Sequence, residues 1–280
     1  MEVFTTIKTI QKELSSRNKK MQLGLVPTMG ALHAGHISII ERALRENDLV
    51  VVTIFVNPTQ FDKEEDLINY PNKTKGDLIL LKEVNCDYVF MPTIDEMYSS
   101  NVKAETFDFD GLDSVMEGAF RTGHFNGVGT IVKKLFEIIN PDRAYFGEKD
   151  FQQLQIIRKI VVKSKFDLKI IPCKIYREKN GLAMSSRNAR LTPEQLLEAP
   201  LIYKSLLKSK ELFQKEDVET VKKMVKNEFN RSANMELEYF EIADTETLIP
   251  VRDISSGKKY RAFIGVYADD VRLIDNIALN

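Results

Sequence analysis

The chain contains no tryptophan, only two cysteines and only three histidines among its 280 residues. Cys86 and Cys173 sit far apart in apolar contexts, VNCDYVF and IIPCKIY. That excludes a disulfide framework and reads as two buried thiols in a reducing compartment. Long hydrophobic runs are missing too, since no window approaches the ~18 apolar residues of a membrane span. The start, MEVFTTIKTIQKEL, lacks the basic segment, apolar core and small-residue cleavage site of a secretory signal. A cytoplasmic protein without a membrane partner is therefore expected. Nor does one sign of charge dominate: 40 Lys and Arg oppose 41 Asp and Glu, leaving a formal net charge of -1. This argues against a protein built to coat nucleic acid.

What is present is an ordinary globular composition, 43% hydrophobic and 29% charged, in a chain longer than the usual single domain. Over the first two thirds, short β-rich runs alternate with segments of helical period, the pattern of a parallel sheet covered by helices. Strands are predicted near 21–26, 48–56, 87–91, 106–109, 143–146 and 168–175. Apolar stripes mark helices at Ile37, Ile40 and Leu44, at Leu78, Leu81 and Val84, and at Val128, Ile131, Leu135 and Ile138, with a fourth over 152–162. After Asn188 the texture changes. A Thr-capped helix with Pro193 at its first position is interrupted around Pro200, and another helix covers about 217–230. Three alternating strands follow, LEYFEIAD, KYRAFIGVYA and VRLIDNIAL, read as an antiparallel sheet with short polar connections. The expectation is an α/β fold with a parallel-sheet domain over 1–187 and a smaller α+β domain over 188–280.

Two of the scarce histidines stand three residues apart in PTMGALHAGHISII, Pro27 to Ile40. Pro27 is read as stopping a strand. A helix begins near Ala34 or Gly35, so its unpaired amides and positive dipole end face the turn. Such an end attracts phosphate; Gly30 and Gly35 permit close approach, and His33 and His36 offer compact donors. A zinc site would need a third ligand from His124, an acid or a distant cysteine, and none has a diagnostic spacing.

FVNPTQF places Asn57 and Gln60 at the end of the next strand, where neutral amides suit a hydroxylated or carboxylate ligand. Asn57 also reads as a plain turn former before Pro58. FGEKDFQQL crowds Glu148, Lys149 and Asp150 into a helix start, either a solvated entrance or a lysine reaching for phosphate. GLAMSSRN supplies Ser185, Ser186 and Arg187 in a glycine-initiated loop that suits a polyphosphate and equally a polar linker. EGAFRTGHFNGVGT sets Arg121 and His124 among glycines, as a substrate-covering loop or a turn cluster. In a parallel sheet the turns after the strands share one edge, where ligands of open α/β folds gather. That shared edge favours a site over three unrelated loops.

Taken in order, PTMGALHAGH, FVNPTQF, GHFNGVGTIVKKLF, FGEKDFQQL and GLAMSSRN closely resemble the signatures of the pantoate–β-alanine ligase family over most of residues 20–190. His-x-Gly-His alone marks a whole nucleotidyl-transferring superfamily; the other segments are signatures of this family. The resemblance implies a Rossmann-like ATP-binding domain, a smaller C-terminal domain acting as a lid, and a homodimer. It implies an ATP site formed by Met29, Gly30, Ala31, Leu32, His33, Ala34, Gly35 and His36, by Gly147, Glu148, Lys149 and Asp150, by the backbone of Tyr176, and by Met184, Ser185, Ser186 and Arg187. Gln60 and Gln153 would hold pantoate, with Asn57 added beside them, and Gln60 would also lie near β-alanine.

The implied reaction has two steps. The pantoate carboxylate attacks the α-phosphorus of ATP, releasing pyrophosphate, and the β-alanine amine then attacks the mixed anhydride, releasing AMP. His33, His36, Lys149 and Arg187 are expected to neutralise charge as pyrophosphate leaves, with His36 also a candidate proton source. Mg2+ is expected to accompany ATP; no metal ligand is assigned, Asp77 being weighed without commitment. The family commonly has an acidic residue where Ala34 stands, proline where Thr122 stands and arginine where Asn72 stands. The last affects a flap contact near Tyr70, whereas the first two change no expected ligand contact. An adenylyltransferase acting on a phosphorylated acceptor and a non-catalytic ATP-binding protein are the alternatives.

Overall fold

Val50, Val51 and Val52 are fully buried, as the β-branched run LVVVTI demands of a strand covered on both faces. The computed structural model describes residues 1–62, 64–99 and 101–280. Six parallel strands form the first sheet: β1 (Glu2–Phe4), β2 (Leu23–Thr28), β3 (Leu49–Ile54), β4 (Tyr88–Phe90), β5 (Arg143–Gly147) and β6 (Lys169–Cys173), in the order β1-β4-β3-β2-β5-β6. The Rossmann-like expectation is met. The chain steps from β2 to β3 and β4 on one side, while β5 and β6 continue on the other. The crevice between the carboxyl ends of β2 and β5 is therefore the topological switch point of the sheet.

Helices Ala34–Glu46 and Thr74–Glu83 cover one face, through a cluster that includes Ile40, Ala43 and Leu81 against Val26, Val50, Val52 and Val89. Helices Ile7–Ser16, His124–Ile139 and Phe151–Lys163 cover the other, around Leu25, Val51, Phe136, Phe146 and Ile157. The second sheet is antiparallel, β7 (Glu236–Asp244), β8 (Tyr260–Ala268) and β9 (Val271–Ala278). It builds its own core with helices Leu201–Leu212 and Val218–Phe229, around Ile202, Leu206, Val221, Val225, Ile242 and Ile264. Phe263, Ala243 and Leu248 instead join the first core, so one face of β8 rests on the parallel-sheet unit. The proline-led helix takes the expected form. Thr192 and Gln195 make a capping box at Pro193–Glu198, and the chain turns again at Pro200 before Leu201–Leu212.

Three expectations are corrected, and two elements near the start of the chain go unpredicted. TFDF, residues 106–109, forms no strand. Its neighbourhood gives its amides to side chains of helix His124–Ile139, Glu105 N to Thr130 Oγ1 at 2.8 Å and Phe107 N to Asn126 Oδ1 at 3.0 Å. The alternation is real, but a helix is the partner, so no ladder forms. Pro27 does not stop β2; it pairs in register with Thr53 of β3, at a level where β2 has already parted from β5 after Leu25. The edge strand β1 and the helix Ile7–Ser16, amphipathic and capped by Thr6, carry no predicted counterpart. The connection from β7 to β8 is long rather than short, spanning 245–259, with an isolated bridge between Ala243 and Pro250.

Candidate active site

The turn after β2 is shaped by a buried carboxylate. Asp77, from helix Thr74–Glu83, accepts the backbone N–H of Ala31 at 2.9 Å and of Leu32 at 2.7 Å. Asp77 thus acts as an anchor for the turn carrying His33. His33 is the N-cap of helix Ala34–Glu46, its Nδ1 accepting from Gly35 N at 3.1 Å, while His36 Nδ1 accepts from His33 N at 3.3 Å. This is a capping box built from two imidazoles. Gly35 is required by it, because a Cβ there would lie 2.9 Å from the His33 ring.

With each Nδ1 occupied as an acceptor, each neutral ring carries its proton on Nε2, the atom left for a ligand. Burial, with smaller contributions from Lys149, lowers His33 to about 4. Burial, then His33 and Lys149, lowers His36 to about 3. Both imidazoles are therefore neutral at pH 7 in the ligand-free protein, which leaves Lys149 and Arg187 as the cations among the four residues expected at the phosphates.

Those cations come from other loops onto the same cavity, about 260 Å³, whose wall includes His33, His36, Lys149, Lys174 and Arg187. Lys149 stands in a 3-10 turn, Glu148–Asp150, directly after β5. Arg187 follows Ser185, whose hydroxyl accepts Arg187 N at 3.2 Å and starts the turn Ser186–Arg190. Its guanidinium donates to Asp66 at 2.8 Å. Met184 tethers this loop to the histidine helix, with Gly35 N 3.3 Å from its sulfur, and its own N–H donates to the Tyr176 carbonyl at 3.0 Å.

The amide end of the cavity holds Asn57, Gln60 and Gln153. Asn57 is 1% exposed and fully committed. Its Nδ2 donates to Gln60 Oε1 and Gly127 O, both at 3.1 Å, and its Oδ1 accepts from Tyr98 at 2.5 Å and Thr59 at 3.1 Å. It orients Gln60 and has no polar group to spare for a ligand. Gly127 allows this approach, since a Cβ there would lie 2.1 Å from the Thr59 carbonyl. Beyond it, Arg121 Nη1 lies 3.1 Å from His124 Nε2, and His124 Nδ1 lies 2.7 Å from the Gln60 carbonyl. Arginine has only donors and a carbonyl only accepts, so His124 is the Nδ1–H tautomer.

Most of the expected residues line this one cavity: Met29, His33, Gly35 and His36, then Asn57 and Gln60, then Gly147, Lys149, Asp150 and Gln153, then Tyr176 and 184–187. Gly30, Ala31, Leu32, Ala34 and Glu148 are outside its wall. The first three are the anchored turn, Ala34 is exposed, and Glu148 turns toward Arg261, 3.6 Å away. Tyr70, Lys174 and Thr28 also line the cavity without a sequence signal strong enough to select them. Asn72 spends its Oδ1 on Thr74 N and Oγ1, at 3.3 and 2.8 Å, in a local turn. Among the described residues, no cluster of three or more His, Cys, Asp or Glu could hold a metal ion.

Comparison with known proteins bears on this cavity. The family model described as pantoate-beta-alanine ligase matches residues 2–278. The chain is 54% identical to the pantothenate synthetase of Christiangramia forsetii, covering 100% of both chains, and 50% identical to that of Flavobacterium psychrophilum, covering 99% of this chain and 98% of the other. It superposes on the crystal structure of pantothenate synthetase from Thermus thermophilus with a TM-score of 0.92 at 37% identity, covering 100% and 99% of the two chains. With a pantoate-beta-alanine ligase from Francisella tularensis, complexed with beta-gamma ATP and beta-alanine, the TM-score is 0.81 at 34% identity, covering 100% and 98%.

Proposed function

The chain belongs to the pantoate–β-alanine ligase family, and from that premise we propose that His33, His36, Lys149 and Arg187 carry its chemistry. The activity is the ATP-dependent condensation of pantoate with β-alanine, a step of pantothenate biosynthesis. The observation that supports the assignment of residues is convergence: loops after β2, β3 and β5, and the 184–187 loop, meet at one cavity on the switch point of the sheet.

In the first step a pantoate carboxylate oxygen bonds to the α-phosphorus of ATP while the bond to the β-phosphate bridging oxygen breaks. Negative charge accumulates on the leaving pyrophosphate. Lys149 and Arg187 meet that charge as cations, and the Nε2–H groups of His33 and His36 meet it as fixed neutral donors. Because both Nδ1 atoms are tied to backbone, the donors need no reorganisation during the reaction. Gln60, held by Asn57, and Gln153 orient pantoate, and Gln60 lies toward β-alanine. In the second step the neutral amine of β-alanine bonds to the acyl carbon of pantoyl adenylate, the acyl–oxygen bond breaks, AMP leaves and the nitrogen gives up one proton.

Mg2+ would arrive on the nucleotide, with Asp150 the carboxylate on the cavity wall that would face it. Bound there, the ion would add charge neutralisation at the phosphates. The same reading divides the chain into a nucleotide- and pantoate-binding domain over 1–187 and a lid domain over 188–280, working as a homodimer in the cytoplasm. Among the described residues no helix is long and apolar enough to cross a membrane.

Incubating the protein with ATP, magnesium and pantoate, with and without β-alanine, tests the reading. Pantoate-dependent ATP/pyrophosphate exchange is expected without the amine, and free AMP with pantothenate only when it is added. AMP release independent of β-alanine would overturn the two-step assignment.

A further inference from the structure

The turn that carries Lys149 is held from the other sheet. Asn276 of β9 is 2% exposed, and its Nδ2 donates to the carbonyls of Glu148 at 2.9 Å and Lys149 at 2.8 Å. Its Oδ1 accepts from the Arg261 guanidinium. The orientation of this amide is forced, because two carbonyls can only accept and an arginine can only donate. Arg261 is itself fixed, stacked 4.0 Å over the ring of Phe151 and 3.6 Å from the Glu148 carboxylate. The Glu148–Asp150 turn has no side-chain cap of its own, so its carbonyls take their donors from across the interface between the two sheets.

We propose that Asn276 is the positioning residue for Lys149. Clamping the two carbonyls that flank the Lys149 α-carbon fixes the backbone there, leaving the side-chain torsions free to aim Nζ at the phosphates. The clamp also ties the 148–149 turn to β9, so the turn follows the C-terminal sheet in any closure of the cavity. Neither a carboxylate nor an aliphatic side chain can replace it, since position 276 needs an acceptor for Arg261 and two donors for the turn. The inference rests on the reading that Lys149 grips the ATP phosphates.

A double-mutant cycle on the full-length protein tests it, with pantoate-dependent ATP/pyrophosphate exchange as the readout. Asn276→Asp keeps the shape and the acceptor for Arg261 but sets a carboxylate against two carbonyls. It is expected to slow exchange roughly 10- to 100-fold in the otherwise native protein, and by less than about threefold when Lys149 is already alanine. A role in folding alone would give equal losses in both backgrounds, and that outcome overturns the proposal, as does no loss in either. Should Asn276→Asp not fold, Arg261→Met, which keeps an unbranched side chain beside Phe151 but removes the guanidinium that donates to the amide, carries the same expectation with a smaller loss. Should Lys149→Ala itself exchange at the native rate, the reading of Lys149 fails instead, which is a distinguishable result.

Discussion

His33 and His36 cap the same helix reciprocally, each imidazole accepting a backbone N–H through Nδ1, at 3.1 and 3.3 Å, with their rings 4.0 Å apart. Structure and chemistry are thus carried by different atoms of one ring. His33→Asn supplies a good N-cap oxygen, but its Nδ2–H falls short of the position held by imidazole Nε2, and it is expected to unfold within about 0.5 kcal/mol of the native protein. Its exchange rate falls on the order of 100- to 1000-fold. His33→Ala is expected to lose the same rate and also ~0.5–2 kcal/mol of stability. Denaturant melts and exchange assays on the pair check both parts; equal rates for His33→Asn and the native protein would remove His33 from the phosphate site.

Lys149→Ala and His36→Ala each remove one donor aimed at the leaving pyrophosphate. Each is expected to slow pantoate-dependent exchange on the order of 100- to 1000-fold, equivalent to ~2.7–4 kcal/mol of barrier. Near-native exchange in either variant would overturn the role given to that residue.

The three histidines are all depressed, His33 and His124 to about 4 and His36 to about 3, burial being the largest cause in each. The unfolded chain takes up a proton at each near pH 6.5 while the native state does not, so it binds more protons below that pH. Stability of the ligand-free protein is therefore expected to be unaffected by these groups above about pH 6.5 and to fall as pH drops toward about 5. The slope should correspond to nearly three protons taken up on unfolding. Denaturant midpoints across this window measure it, and a flat profile would mean that the imidazoles titrate freely in the native state.

Asn57 spends both donors and both acceptor positions inside the protein. Asn57→Ala removes one hydrogen-bond partner each from Tyr98, Thr59, Gly127 and Gln60, and is expected to cost ~1–3 kcal/mol of stability. It should also raise the KM for pantoate by releasing Gln60. Gln60→Ala should raise that KM with little change in melting temperature. If Asn57→Ala were as stable as the native protein, the orienting role would be lost.

Local chemistry written along the chain determined the parallel sheet with its covering helices, the antiparallel end and the loops that form the cavity. A buried β-branched run, a proline at a helix start and a glycine between two histidines each constrain the backbone within a few residues, and such constraints are readable in order. What only tertiary structure decided is partnership across distance. In FQQL, Gln152 is buried and donates to Leu112 O and Val115 O, both at 2.8 Å, while its neighbour Gln153 lines the cavity; residue type cannot tell the two apart. Asp77 is a metal-ligand candidate in sequence until the turn amides of Ala31 and Leu32 are found against it, and TFDF reads as a strand until helix 124–139 takes the amides of Glu105 and Phe107. Buried polar groups must be satisfied by whatever the fold brings near. That neighbour is set by the packing of elements far apart in sequence, so it appears only when they have packed.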